Sequence, residues 1–489
     1  MQLKQPRLLL ACALVLLLGS PSIAKEYRIA TQEDFARLRA STFEPGDAIL
    51  FKRGARFSGM FAPLGQGTKE APIRIEAYGK GERPRIDAQG KNKAGLFLLN
   101  PAFWEVGGLE ITNTDGTDKD QGDLFGIYVL AEDKEAVYKH IHINDCYVHD
   151  VNGKVAGKRR GGIHIHIKGL EASKFHDLRI TNNRIVRVGG VGIGNTSPCG
   201  KVMISKEGNV TTKNLWTKVY VADNYIDHTG RNCIIARVSK DAIYERNTLA
   251  NSSRYSTGHS IFNFNTDGIK IQFNEAYGNV GPGGKDRGGF DADYNSANTF
   301  IQYNYSHDNL WFCGIMKKPN HKVTIRYNLS QNDQHGIYFF GFEGKKDAKN
   351  IRIYNNTHYV KKGLKVQVFP EERTPINSLF ENNIFYFEGE GEAQWGPKAK
   401  GINTLFKNNL YFNIAPHCSE KKALVADPQF VAPGKAGKNI DLKTMDALAG
   451  YRLSPSSPGQ EGATKIKENG GKNILNEDVG PDDRRYGAL

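Results

Sequence analysis

Ile269-Lys-Ile271-Gln-Phe-Asn274 holds in six residues the pattern on which the fold turns. Ile269 and Ile271 alternate with polar neighbours, the period-two signature of a strand with one buried face. An Asn follows Ile271 after two variable positions. The same apolar-x-x-Asn unit recurs as Ile180 with Asn183, Val221 with Asn224, Tyr244 with Asn247, Ile301 with Asn304, Ile325 with Asn328, Ile353 with Asn356, Phe380 with Asn383, and Phe406 with Asn409. Most of these asparagines stand 23 to 30 residues apart, with one longer gap between Asn183 and Asn224. That is the length of one coil of a parallel β-helix. The chain is therefore expected to be all-β, a right-handed parallel β-helix. An inward Asn at each turn can bond to turn backbone and to the Asn stacked on the next coil, so the column reads as structural rather than catalytic.

Outward from the repeat, both ends take on meaning. Lys4 and Arg7, the apolar run from Leu8 to Leu18 and the small residues Ser22-Ile23-Ala24 read as a signal peptide over residues 1–24, which implies a secreted or periplasmic protein. The apolar run is too short to span a bilayer, and no later one is long enough. Residues 25–489 are expected to form one domain, with an N-terminal cap over 25–60 and a closing segment over 425–489. In the cap, Thr31 stands as N-cap before Phe35 and Leu38, and the short helix leads into a strand from Ala48 to Phe51. Five cysteines remain after the leader (Cys146, Cys199, Cys233, Cys313 and Cys418), an odd number at irregular spacing that reads as core filler rather than a disulfide framework. The formal charge of +14 is spread along the chain, apart from Lys158-Arg159-Arg160, and suits an acidic polysaccharide partner. Export argues against nucleic acid, and a monomer is expected. Loops over 201–213 and 389–400 are expected to shape the groove.

The asparagine column also serves as a ruler for chemistry, because equal offsets on successive coils lie about 4.8 Å apart. In Gly288-Gly-Phe-Asp-Ala-Asp-Tyr-Asn295, inward Phe290 and Ala292 would leave Asp291 and Asp293 facing out. Asp293 lies eleven residues before Asn304, and Lys317 eleven before Asn328. Asn265 and Arg237, nine and ten residues before their own ladder asparagines, fall near the same column, and alternation puts Asn263 outward beside Asn265. Asp291, Asp293 and Asn265 offer oxygen ligands for Ca2+, and Lys317 or Arg237 could take the C5 proton of a uronate. His164 and His166 point outward together but fall four coils before Asp293, which leaves them a distal substrate contact. His335, one coil after Lys317, is placed to assist an acid step. Trp311 and Tyr338 could stack on sugar rings.

Pro45-Gly-Asp47, Pro72-Ile-Arg-Ile75 and Pro84-Arg-Ile86 resemble the opening coils of pectate-lyase-like β-helix enzymes, and Asp427-Pro-Gln-Phe430 with Tyr451-Arg-Leu-Ser-Pro-Ser-Ser-Pro458 their closing segment. At the site, Gly289-Phe-Asp291 and Gly314-Ile-Met-Lys317 resemble the family nine pectate lyases, a likeness that implies calcium on the aspartates and Lys317 as base. The chain departs from that family in having no adjacent Asp pair and no third carboxylate. Asn265-Thr-Asp-Gly268 matches a polygalacturonase motif, but Asp267 falls in a turn and the family's other strings are absent. The leading expectation is a polysaccharide lyase cutting a uronate-containing polymer by β-elimination. The alternatives are a glycoside hydrolase using Asp291 and Asp293, and a non-catalytic carbohydrate-binding or adhesin β-helix.

Overall fold

A computed structural model of the chain describes residues 24–282, 286–316, 319–341, 348–371 and 373–489. The expected leader, with Cys12, and Lys317 lie outside them. Three parallel sheets, of 16, 14 and nine strands, wrap one apolar core in a right-handed parallel β-helix. No described helix is long and apolar enough to cross a membrane.

The repeat has the physical basis its sequence suggested. All nine asparagines join one ladder: each from Asn183 to Asn383 donates its side-chain amide to the Oδ1 of the next, at 2.9 to 3.0 Å. The same Oδ1 accepts the backbone N–H of the preceding rung, and each amide also reaches the carbonyl of an apolar ladder residue one coil back, such as Ile271 for Asn304. Every turn thus satisfies backbone groups that it would otherwise bury unpaired. The ladder runs on at both ends, with Cys146 N–H donating to Asn183 and Asn409 donating to Glu420.

The N-terminal coil is closed by the helix Gln32–Leu38, whose N-cap Thr31 forms a reciprocal capping box with Asp34. Phe35 stacks on Phe57 beneath it, at 5.4 Å between ring centroids. The other end differs from expectation. After the strand Leu424–Val425, the segment expected to close the helix turns and runs back along its side. Asn408 donates to Gly462 O, Arg326 to Glu468 O, Tyr305 to Ala436 O, and Asn439 N–H to Glu275. Four of the cysteines are buried and Cys418 is exposed, all of them unpaired with one another.

Candidate functional site

The nine-stranded sheet carries the aspartates, and its register defines what faces them. Leu96, Ile127, Ile163, Ile193, Ile234, Ile261, Phe290, Cys313 and Tyr338 stack as one inward column in the core. The next position along each strand therefore points out. From coil to coil that outward column reads His164, Gly194, Ile235, Phe262, Asp291, Gly314 and Phe339.

Asp291 is buried within this column, and the Oδ2 of its carboxylate lies 3.8 Å from His259 Nε2. Burial pushes the His259 imidazole down to about 4, so the ring is neutral at neutral pH. Neither of its ring nitrogens has a hydrogen-bond partner among the described residues. Gly314, beside Asp291 on the next strand, lets both groups pack against its backbone. A Cβ there would stand 2.8 Å from His259 Nε2 and 2.9 Å from Asp291 Oδ1. On the preceding strand Phe262 supports the Lys158 ammonium 4.8 Å above its ring, a cation–π contact that brings positive charge to the aspartate's edge.

Asp293 lies just past the strand Gly288–Ala292 and accepts the backbone N–H of Tyr294 at 2.7 Å. Arg237 pairs in register with Phe264, and Phe264 packs on Tyr294 at 4.4 Å. The register thus puts Phe264 between the arginine and Asp293, whose charge still acts on the guanidinium. Arg237 donates to Asn195 O and Thr196 Oγ1, and burial with Arg159 nearby pushes it down to about 10, still cationic at neutral pH.

Several sequence-based expectations are corrected by this register. Asn263 pairs with Ala292 and faces inward, donating to Thr266 and Thr299 hydroxyls in the core. Asn265 takes a left-handed conformation past the strand and binds the hairpin Lys201–Ile204 with Val210–Lys213, accepting from Val202 N–H and donating to Gly200 O. The expected Ca2+ set thereby loses one of its three ligands. Tyr338 is wholly core, its hydroxyl 2.9 Å from His358 Nε2. Trp311 is buried against Phe339, ring centroids 4.5 Å apart, so that face is closed to a sugar. His335 is exposed at the start of its strand, about 13 Å along the strand direction from the Phe339 position, too far to assist at Asp291. His164 is also buried, bonded to Thr196, while His166 pairs with the Tyr128 hydroxyl at 2.8 Å. The hairpin over 201–213 borders a cavity of ≈740 Å³ with His321 and Lys349, on the side of the 16-stranded sheet rather than over the aspartates.

No site role was assigned from sequence to His259, to Gly314 or to Lys158. Strict alternation hid His259, because two successive residues face inward at the start of each of these strands, as Phe312 and Cys313 do. Gly-Gly and Gly-Ile pairs at these strand starts were the available signal.

With this geometry in view, comparisons with known proteins bear on the chemistry. No protein-family model matches the chain. A lacto-N-biosidase of Bifidobacterium longum subsp. longum is 26% identical to it over 79% of this chain. That relative is a glycosidase. The match spans only 29% of its length. Among solved structures, a GH136 lacto-N-biosidase from Eubacterium ramulus superposes with a TM-score of 0.55 at 17% identity, covering 79% of this chain and 67% of that one. A mutant of the PL6 family alginate lyase AlyGC superposes at 0.50 with 14% identity, covering 94% and 57%. The two structural likenesses establish the shared fold, which hosts lyases and hydrolases alike. The expectation of a uronate lyase is corrected by the sequence match, which joins the chain to a glycoside hydrolase.

Proposed function

We propose that the chain is a glycosidase that hydrolyses a glycan bound on the outward face of the nine-stranded sheet, with Asp291 and Asp293 as its carboxylates. One carboxyl group protonates the glycosidic oxygen as the bond to the anomeric carbon breaks, the other, ionised, stabilises the charge developing on that carbon, and water supplies the hydroxyl that bonds to it and returns a proton to the carboxyl pair. The observation that carries the reading is the 26% identity to a lacto-N-biosidase over 79% of the chain. The placement of Asp291 on the outward face of the nine-stranded sheet beside neutral His259 supports it. Arg237 and Lys158 add positive charge that favours the ionised partner. By this reading the substrate is a glycan of the lacto-N-bioside class, and the leader in residues 1–24 has the enzyme act outside the cytoplasm.

The test is release of aglycone from an aryl lacto-N-bioside, with new reducing ends scored on neutral, amino-sugar and uronate-containing glycans. Hydrolysis without the ultraviolet absorbance of an unsaturated uronate is expected. Asp291→Asn and Asp293→Asn should each lower kcat by at least about 100-fold, with unchanged thermal midpoints. Failure to cleave any substrate, or full activity in both variants, would sink the reading.

A further inference from the structure

A second cluster lies on a different face, on the outward side of the 16-stranded sheet near its N-terminal end. Strand Val137–Asn144 presents His140 and His142 together, although residues two apart around a bulge need not share a face. They do so because His140 (φ 56°) and Asp177 (φ 63°) are left-handed bulge residues on adjacent coils, and the register passes from Lys139 with His176 directly to Ile141 with Leu178. Glu105 is the register partner of His142 on the preceding strand.

The contacts define how the two rings are protonated. Asp177 Oδ2 lies 3.0 Å from His140 Nδ1 and 3.1 Å from His142 Nε2. A carboxylate only accepts, so both of these nitrogens carry hydrogen, and in neutral rings the other nitrogen of each is a lone pair. His140 Nε2 then faces Glu105 Oε1 at 2.8 Å. A cation held between these two atoms would satisfy both. One ligand atom from each of Glu105, His140 and His142 lies within 4.8 Å of the others, and no second such grouping of metal-capable side chains occurs among the described residues. Asp177 stands behind both rings as the carboxylate that orients metal-bound histidines, itself held by Arg179 Nε at 3.0 Å. Glu105 and His142 open on a cavity of ≈490 Å³, which leaves room for water on a further coordination position.

We propose that Glu105, His140 and His142 bind a divalent first-row transition ion of the zinc class, with Asp177 fixing the two imidazoles. Two nitrogen donors and one carboxylate favour such an ion over calcium, which takes six to eight oxygens. The site is separate from the aspartates and does not depend on the proposed hydrolysis.

Chelator-treated full-length protein titrated with ZnCl2 by calorimetry should take up one ion per chain, confirmed by elemental analysis. His140→Ala should abolish uptake, Glu105→Gln should weaken it at least tenfold, and a His164→Ala/His166→Ala control should retain it. Co2+ in place of zinc should give visible absorption bands that Glu105→Gln shifts, a readout independent of folding losses. Absence of stoichiometric uptake by the wild-type protein would overturn the proposal, leaving His140 hydrogen-bonded between Glu105 and Asp177. Uptake unchanged in His140→Ala would overturn it equally.

Discussion

Single side chains decide what the nine-stranded face can do. Gly314 matters for the close approach it allows: a methyl group there would press on His259 and Asp291 at under 3 Å. Gly314→Ala is expected to cut glycosidase activity by at least about tenfold while the thermal midpoint moves by no more than a few degrees, because a single small overpacking strain costs about 1–3 kcal/mol. Assay and melting curve together separate the two effects. Asp333 offers a pH-dependent test of stability. It is buried, accepts from Ser306, Ser330 and Asn309 N–H, and burial pushes its carboxyl up to about 6 from the ordinary 3.8. The folded state thus holds this proton more tightly than the unfolded chain. Its contribution is fully present below about pH 4 and is lost as the pH rises through about 6. Asp333→Asn keeps the shape without the charge. The variant should match the wild type near pH 4 and exceed it at pH 8 by on the order of 1–3 kcal/mol, read from denaturant unfolding at both values. An equal offset at both would refute the assignment.

At the scale of the element, the asparagine ladder is a hydrogen-bonded spine in which each rung serves its neighbours. Asn304 accepts from both the backbone and side chain of Asn274, and donates to Ile271 O and Asn328. Asn304→Ala removes these bonds and leaves buried backbone groups unpaired, a loss of about 3–5 kcal/mol. Because coils contact only their neighbours, the damage should be local. Hydrogen exchange is expected to show protection lost on the coils of Asn274, Asn304 and Asn328, with the cap around Phe35 unaffected. Uniform loss along the molecule would contradict a nearest-neighbour solenoid.

Across the whole molecule, the C-terminal segment is the feature that departs from a simple stack of coils. It covers aromatic residues on the outer face of the 14-stranded sheet, where Tyr305 and Leu329 are fully buried with Leu448 and Tyr451 in a satellite core. Tyr451 donates to Gln331, and Ala488 N–H to Thr357. Ending the chain after Ala426 is expected to expose this surface, to lower the thermal midpoint and to promote binding of a hydrophobic dye. A truncated protein that melts as the full chain does would show the segment to be dispensable.

Much of this was legible from the residues themselves. The apolar-x-x-Asn period depends on local chemistry that repeats on every coil, so the spine, the strand it follows and the outward direction of Asp291 could all be read by counting. Counting failed wherever a turn differed by one residue. Asn265 sits one position beyond the register of Arg237 and Asp293, and that single slip moved Asn263 from the expected outer face into the core. The same limit hid His259, where paired inward residues break alternation, and hid His140 and Asp177, where left-handed bulges insert a residue into each coil. The sequence by itself determined the solenoid and its asparagine spine, because each rung needs only its own turn and its neighbours. Which side chains meet across coils, at Asp291 and at Glu105 alike, was decided by the tertiary structure, because those meetings depend on the lengths of turns between strands, and period-two counting cannot see them.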